Sequence, residues 1–484
     1  MSNASVKRVA IIGGGLSGLS AAYRLLELSA EAQQPLEIVL FEAADRMGGL
    51  FGTKSINGYQ VETGADSFIT NKPWAVGLCR RLGLEDRLIS TNQEYRRSLV
   101  LRKGRPVRVP EGFMLLSPAK VWPVFTSPIF SPLGKIRMGL EYLVPKKANS
   151  ADDDESLGQF VRRRFGQEAL DRLVQPMVGG IYTSDPEKLS LRATLPRFIE
   201  MEQQHRSLIR ASKIKSRQQS EEQKQDSGAR YSMFLTLKTG MSELLDALES
   251  ALGKTCTIRK QTPVETVSPQ EAGSDEDSNS WVVKLQNGQT EVFDAVVVTL
   301  PTYRAASLVE QFDGLLAESL NGIEYASSAI VVSGHQLSDI EDPLDAFGLV
   351  VPAIEKRNVL AVSFTSRKFV GRAPGGCVQI RTFIGGAMMP EMMDHSDEEL
   401  IEIAKADLEP ILRMKWNPDF TIVARYLKSM PQYHVGHEQR VAKIENLMQA
   451  HSGLELAGSA YHGVGVPDSI HSAEQAAEKI FQLL

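Results

Sequence analysis

The 484-residue sequence predicts an α/β fold. Its organising part is a parallel nucleotide-binding sheet that the chain enters, leaves and re-enters. Three observations predict it. Val9 to Ile12 is a β-branched run that reads as a buried strand, and Gly13, Gly15 and Gly18 then form G-x-G-x-x-G ahead of a helical stretch, Leu19 to Leu28. Leu36 to Phe41 is a second buried strand, and it ends at Glu42, one βαβ unit later. Near the end, Leu454 to Ala457, the turn Gly458 to Pro467 and the helix Ile470 to Leu483 repeat the opening order of strand, glycine turn and helix.

Each glycine of the first turn has its own task. Gly13 permits the tight turn, Gly15 lets backbone approach a pyrophosphate, and Gly18 lets helix and strand pack closely. Gly14, Leu16 and Ser17 complete the turn, where free N–H groups and a positive dipole end await an anion. Glu42 can accept hydrogen bonds from a ribose hydroxyl and disfavours a 2′-phosphate, which argues against NADP. The continuation Glu42-Ala43-Ala-Asp-Arg46-Met-Gly48-Gly49, then Gly64-Ala65-Asp66-Ser67, resembles the extended dinucleotide motif of FAD oxidoreductases of the amine-oxidase type. The resemblance implies FAD as cofactor and a Rossmann-type FAD-binding domain, split in sequence.

After that motif, Trp74 to Leu82 reads as a helix stopped by Gly83, and Ser98–Leu101 and Val107–Val109 as strands about the turn Lys103-Gly104. Gly112 to Pro145 is apolar, broken by five prolines, and its end from Gly134 to Val144 is an amphipathic helix. It reads either as the core of a helical lobe or as an apolar surface for a membrane or greasy channel. Asp152 to Glu155 opens a helix capped by Ser156 or Asp154. Leu157–Phe165 and Ala169–Val174 are periodic, Arg162 to Arg164 read as a solvated face, and Gly179 to Pro186 as a turn region.

Arg210 to Arg230 and Ser268 to Ser280 are polar excursions. Between and after them come the helix Met241–Leu252, a strand pair within Thr257–Val267, and strands at Trp281–Leu285 and Val292–Leu300, which look like a return to the nucleotide domain. Strands at Ala329–Val332, Val359–Phe364, Gln379–Phe383 and Thr421–Tyr426, with a helix at Asp397–Arg413, make an α+β domain. His434 and His437 beside Pro431 and Tyr433 read as packing within a turn rather than as a metal pair.

Composition sets the outer bounds. A length of 484 residues calls for two or three domains, and 42% hydrophobic with 23% charged residues is ordinary for a globular protein. A net charge of −5 gives no nucleic-acid footprint. Cys79, Cys256 and Cys377 are too scattered for a disulfide framework or a metal site and fit a reducing cytoplasm. No signal peptide precedes the nucleotide motif, and no run of about 18 apolar residues offers a spanning helix.

Glu62-Thr-Gly-Ala-Asp-Ser-Phe68, Gly179-Gly-Ile-Tyr182, Glu202-Gln-Gln-His-Arg-Ser-Leu-Ile209, Met430-Pro-Gln-Tyr-His-Val-Gly-His437 and Gly463-Val-Gly-Val-Pro-Asp468 look like the bacterial protoporphyrinogen/coproporphyrinogen III oxidases, flavoenzymes of haem biosynthesis. That resemblance implies oxidation of a porphyrinogen to a porphyrin with O₂, six electrons leaving in three cycles with release of H₂O₂. It implies an α+β substrate domain and a helical lobe that touches membrane in some members. The FAD-binding domain is then expected at 1–95, 231–310 and 421–484, the helical/substrate lobe at 96–230 and the substrate domain at 311–420. By the same resemblance Val264 meets adenine, Tyr426 is an aromatic cofactor contact, and Gly465, Val466 and Pro467 sit against the flavin. The flavin carries the chemistry, so no catalytic side chain and no metal is expected.

Lys72, Arg96 and Arg97 are candidates for substrate propionates. Ser98 stands where eukaryotic-type members carry a propionate-binding arginine, a departure that resembles the Gram-positive-type enzymes and favours coproporphyrinogen III over protoporphyrinogen IX. An amine or carotenoid oxidoreductase and a non-catalytic FAD-fold protein remain alternatives.

Overall fold

A computed structural model describes residues 6–110, 113–114, 117–118, 121–147, 154–214, 233–253, 255–270 and 280–484. The nucleotide sheet has five parallel strands: β1 (Lys7–Ile12), β2 (Leu36–Phe41), β3 (Cys256–Arg259), β4 (Ala295–Val298) and β5 (Leu454–Leu456), in the order β3-β2-β1-β4-β5. Both faces are buried, which is why the strands read as unbroken apolar runs. Val9, Ile11, Ile38, Leu40 and Val297 pack under α1 (Leu16–Ala32), α2 (Ser242–Leu252) and α3 (Val466–Leu483). Ala10, Ile12, Val39, Phe41, Val296 and Val298 pack on the other side, against an antiparallel sheet of Val264–Pro269, Trp281–Leu285 and Thr290–Phe293.

The second sheet has seven strands. From one edge they are Phe420–Pro431, Tyr325–Gln336, Cys377–Gly385, Val359–Phe364, Gly348–Val350, Ser98–Arg102 and Arg105–Arg108. The helix Asp397–Leu412 covers one face. On the other face the nucleotide domain, through Tyr59 and Val61, covers one half. The helical lobe covers the rest, with Val100 and Val350 joining its core.

This topology corrects several boundaries. The division at 420/421 falls inside the strand Phe420–Pro431, and Ser98 to Arg108, expected in the helical lobe, forms two strands of this sheet. Cys256–Arg259 and Val264–Pro269 belong to different sheets and are not a pair. The run Val292–Leu300 is likewise two strands: Asp294 breaks it by accepting from Lys7 Nζ at 2.7 Å and from the Arg8 N–H at 2.8 Å, which fixes the start of β1. Tyr325–Gln336 is far longer than its readable centre because Ser327, Ser328, Ser333 and Gly334 hid its ends.

In the lobe, Val124, Ile129 and Phe130 are buried, so this part of the apolar stretch is core. The side chains of 111–122, and residues 152–153, 215–230 and 271–279, lie outside the described residues. Residues 210–214, read as the start of a polar excursion, are helical. Ser156 is the N-cap of Leu157–Arg164, with Gln159 completing a capping box. Gly179 to Tyr182 is the last turn of the helix Gln175–Tyr182, and the chain leaves it only at Thr183, with φ 48°.

Of the arginine run only Arg162 is a solvated residue; Arg163 and Arg164 turn inward. Arg164 and Glu141 are both fully buried and paired, Arg164 also reaches Glu202 at 3.2 Å, and Arg163 bridges Glu202 at 2.6 Å and Glu155 at 3.0 Å. Glu141 further accepts from Ser207 Oγ at 2.5 Å and the Leu208 N–H at 2.9 Å. The acids that neutralise the run come from segments far away in sequence.

Candidate active site

The carboxyl ends of β1 and β4 carry the expected cradle. The Gly13 N–H donates to Phe41 O at 2.8 Å, and Gly48 N–H to Gly14 O at 2.8 Å, so the second glycine turn is tied to the first. Thr299 Oγ1 donates to Gly13 O at 3.0 Å. A Cβ on Gly18 would stand 1.8 Å from Gly13 O, so that glycine is needed for strand–helix contact. Gly15 differs: a Cβ there would meet none of the described atoms within 4 Å, and its φ of −73° is ordinary. The space over Gly15 is therefore open, at the N-terminus of α1.

A second helix start faces the same place. Gly465 caps α3, with Val466 and Pro467 in its first turn, and Ser17 Oγ donates to Ser469 O at 3.3 Å. Neither α1 nor α3 has a side-chain cap among the described residues, so both leave N–H donors and a positive dipole end for an anion. Leu16 is buried in the core beneath the first turn. This arrangement fits the pyrophosphate of a dinucleotide.

Glu42 accepts from the Gly14 N–H and the Ala44 N–H, each at 2.7 Å, and Ala43 is exposed beside it. The carboxylate is fixed at the end of β2 with lone pairs left for ribose hydroxyls. Thr262 N–H donates to Glu42 O at 2.8 Å, which leads the chain to half-buried Val264 near that end of the cradle. The Arg46 guanidinium holds Phe51 O at 2.8 Å and Gly49 O at 2.7 Å, so Arg46 shapes the Gly48–Gly49 loop.

At the turn Gly64–Ser67, Lys368 Nζ donates to Asp66 Oδ1 and Ser67 Oγ, both at 2.9 Å. Arg381 donates to Gly64 O at 2.5 Å and lies 3.4 Å from Asp66. Burial pushes the Asp66 carboxyl up, but Lys368 and Arg381 outweigh it and hold it well below the usual carboxylate range. Ala65 stays exposed between them. Sequence reading missed Lys368 and Arg381. The signal for Arg381 was a charge at an inward position of an alternating strand; Lys368 offered none.

Opposite residues in the register place Ser328, Ile330, Ala361, Phe383, Ala424 and Tyr426 on one sheet face, with Arg381. The nucleotide domain meets this face at Gly64 through Arg381. The lobe meets it at Gly180, where a Cβ would lie 3.7 Å from Ala361 Cβ and 3.8 Å from Val350 Cγ1. Between the two, Phe383 and Ser328 are half-buried. The stretch of sheet face between the cofactor turn and the helix Gln175–Tyr182 is the floor of the candidate substrate cleft. Tyr426 belongs to this floor rather than to the nucleotide domain. Burial pushes its phenol up, and its hydroxyl has no hydrogen-bond partner among the described residues.

The propionate candidates fare differently. Lys72 is ion-paired with Asp468 in the first turn of α3 and stands 5.9 Å over the Trp74 ring. Arg97 is paired with Asp345 at 3.0 Å, an acid it shares with Arg108. Its guanidinium is engaged at the sheet, by Asp345 and by Glu94 O at 3.0 Å. Arg96 is exposed. His437 stacks on Tyr433 with centroids 3.8 Å apart and bonds Tyr461 O at 3.0 Å, an arrangement of packing.

Lys368→Met is expected to cost about 3 kcal/mol at pH 7, because it leaves a buried carboxylate with the Ser67 hydroxyl and Arg381 at 3.4 Å as the remaining cation. The Asp66 carboxyl is depressed in the fold, so its contribution is present above the unfolded value near 4 and is lost as pH falls below it. The gap between wild type and variant in urea unfolding should therefore narrow below about pH 4. A gap independent of pH would show that the lysine does not act through Asp66.

The family model of flavin-containing amine oxidoreductases matches residues 16–481. The chain is 36% identical to the coproporphyrinogen III oxidase of Bacillus subtilis, over 97% of each chain. It is 26% identical to the mitochondrial protoporphyrinogen oxidase of Nicotiana tabacum, over 100% of this chain and 96% of that one. A crystal structure from Exiguobacterium, given provisionally as a protoporphyrinogen oxidase, superposes with a TM-score of 0.83 at 28% identity, covering 98% of this chain and 99% of that one.

Proposed function

The chain belongs to the flavin-containing amine oxidoreductases, and from that membership we propose that it oxidises coproporphyrinogen III to coproporphyrin III with O₂ in haem biosynthesis. The observation that carries the substrate is the end-to-end likeness to the Bacillus coproporphyrinogen III oxidase, which exceeds the likeness to the tobacco protoporphyrinogen oxidase.

When bound, FAD would supply two-electron redox chemistry, three rounds of which account for the six electrons between porphyrinogen and porphyrin, with O₂ as acceptor and H₂O₂ as its product. The residues that would hold it are Gly13 to Gly18, Glu42, Gly48, Gly49 and Gly64 to Ser67, with the first turn of α3 closing the other side. Lys368 and Arg381 fix the Gly64–Ser67 turn, so the cofactor's position is set before substrate arrives. The part of the floor left half-buried between the two walls, at Ser328, Phe383 and Tyr426, would receive the macrocycle, with Ile330 and Ala361 buried on either side of it. The chain's contribution is orientation and exclusion of water.

Steady-state peroxide release tests the proposal. We expect a higher kcat/KM for coproporphyrinogen III than for protoporphyrinogen IX; the reverse order would reassign the substrate.

No described helix is long and apolar enough to cross a membrane. Leu133, Ile136, Leu140 and Leu143 are exposed along one run of the lobe, from 47% to 79%, which supports peripheral contact with a membrane surface. Such contact should be released by salt or carbonate, and a detergent requirement would contradict it.

A further inference from the structure

We infer that Arg197 binds a carboxylate of the substrate, from the lobe side of the cleft. The inference rests on the porphyrinogen reading above and deepens it.

Arg197 is in the first turn of the helix Pro196–His205, next to Phe198, which is buried in the lobe core. Its Nε is buried and without a hydrogen-bond partner among the described residues. The contrast within the lobe is sharp. Arg162, Arg163, Arg164 and Arg172 each have a carboxylate within ion-pair distance, whereas Arg197 has none among the described residues. Its guanidinium stands 4.8 Å over the Phe198 ring. A half-buried guanidinium left without an anion is unfavourable unless an anion arrives.

Its position says which anion. Tyr182 ends the helix that walls the cleft, and its hydroxyl donates to Thr194 O at 3.4 Å, three residues before Arg197. The Tyr182 phenol is pushed up by burial and by Asp468 on the α3 side, and drawn down by Arg197 on the lobe side. Arg197 therefore lies near the Tyr182 phenol, in the turn that follows Thr194. Three further polar atoms of this wall are buried without partners among the described residues: Thr183 Oγ1, Ser184 Oγ and Gln432 Oε1. Gln432 Nε2 donates to Tyr182 O at 3.4 Å, which joins them to the same place. These groups show that the wall beside Tyr182 is polar behind its surface. A planar guanidinium is suited to a carboxylate, and propionate is the anionic group a porphyrinogen carries. Lys72 and Arg97, already paired, are poorer candidates.

The test is equilibrium binding of coproporphyrin III, the oxidised product, which cannot turn over, to the FAD-loaded protein, followed by porphyrin fluorescence. Wild type, Arg197→Gln and Arg197→Lys are compared, each checked for FAD content and melting temperature. Loss of one charge-assisted contact should raise Kd about tenfold in Arg197→Gln, with partial recovery in Arg197→Lys. Mesoporphyrin IX, with two propionates, should show a smaller effect. Equal Kd values in wild type and both variants would overturn the assignment of Arg197 while leaving the porphyrinogen reading intact. Failure of wild type to bind coproporphyrin III would overturn that reading itself.

Discussion

Gly15→Val folds and is purified without FAD. The expectation follows from the contrast between two glycines in one turn. A side chain at Gly18 would drive into Gly13 O, whereas one at Gly15 meets no described atom within 4 Å and its backbone angle suits any residue. The valine therefore occupies space the protein leaves for something else, at the point where α1 offers free N–H donors. Keeping the pyrophosphate away from those donors removes charge-assisted hydrogen bonds of about 1.5–3 kcal/mol each, so FAD affinity should fall by roughly a hundredfold or more. Flavin absorbance per protein after gel filtration measures it, and the melting temperature should match that of wild-type apoprotein. A variant that keeps its full complement of FAD would show that this turn does not hold the pyrophosphate.

Glu141→Ala is expected to lose about 3–5 kcal/mol of stability, the largest effect of any single change in the lobe. The residue is wholly buried and faces Arg164, which is wholly buried too. Removing it leaves that guanidinium with Glu202, already engaged by Arg163, and strips an acceptor from Ser207 Oγ and the Leu208 N–H. Because the network ties the segment at 141 to those at 155–164 and 202–208, limited proteolysis should cut the lobe first and leave the nucleotide domain protected. The double variant Glu141→Leu/Arg164→Met should lose less than either single change, since no buried charge is then stranded. A loss below about 1 kcal/mol in Glu141→Ala would mean the pair does not organise the lobe.

What was legible in the sequence was whatever local pattern enforces. β1, β2 and the glycine turn were readable because a sheet buried on both faces needs unbroken apolar strands, and the turn needs glycine where Gly13 has φ 110°. Ser156 was readable as a cap because capping is settled within four residues. What escaped depended on partners distant along the chain. Arg163 and Arg164 looked like a surface because nothing local announces Glu141 or Glu202. Gly179 and Gly180 looked like a turn because glycine pairs usually make one; here both are helical, and Gly180 faces Ala361 and Val350. Tyr426 was identified as an aromatic of interest but placed in the wrong domain, since strand order cannot be read from a strand. The same limit hid the cleft: its floor comes from four strands that the sequence scatters from Ser328 to Tyr426.

The measurement that tests the central claim most directly is anaerobic reduction of the bound flavin, with coproporphyrinogen III and protoporphyrinogen IX offered side by side in a stopped-flow instrument. The account predicts that coproporphyrinogen III bleaches the oxidised flavin band at a rate that saturates with substrate, faster than protoporphyrinogen IX at equal concentration, and that admitting O₂ restores the band with release of H₂O₂. Flavin that stays oxidised in the presence of both porphyrinogens would contradict it.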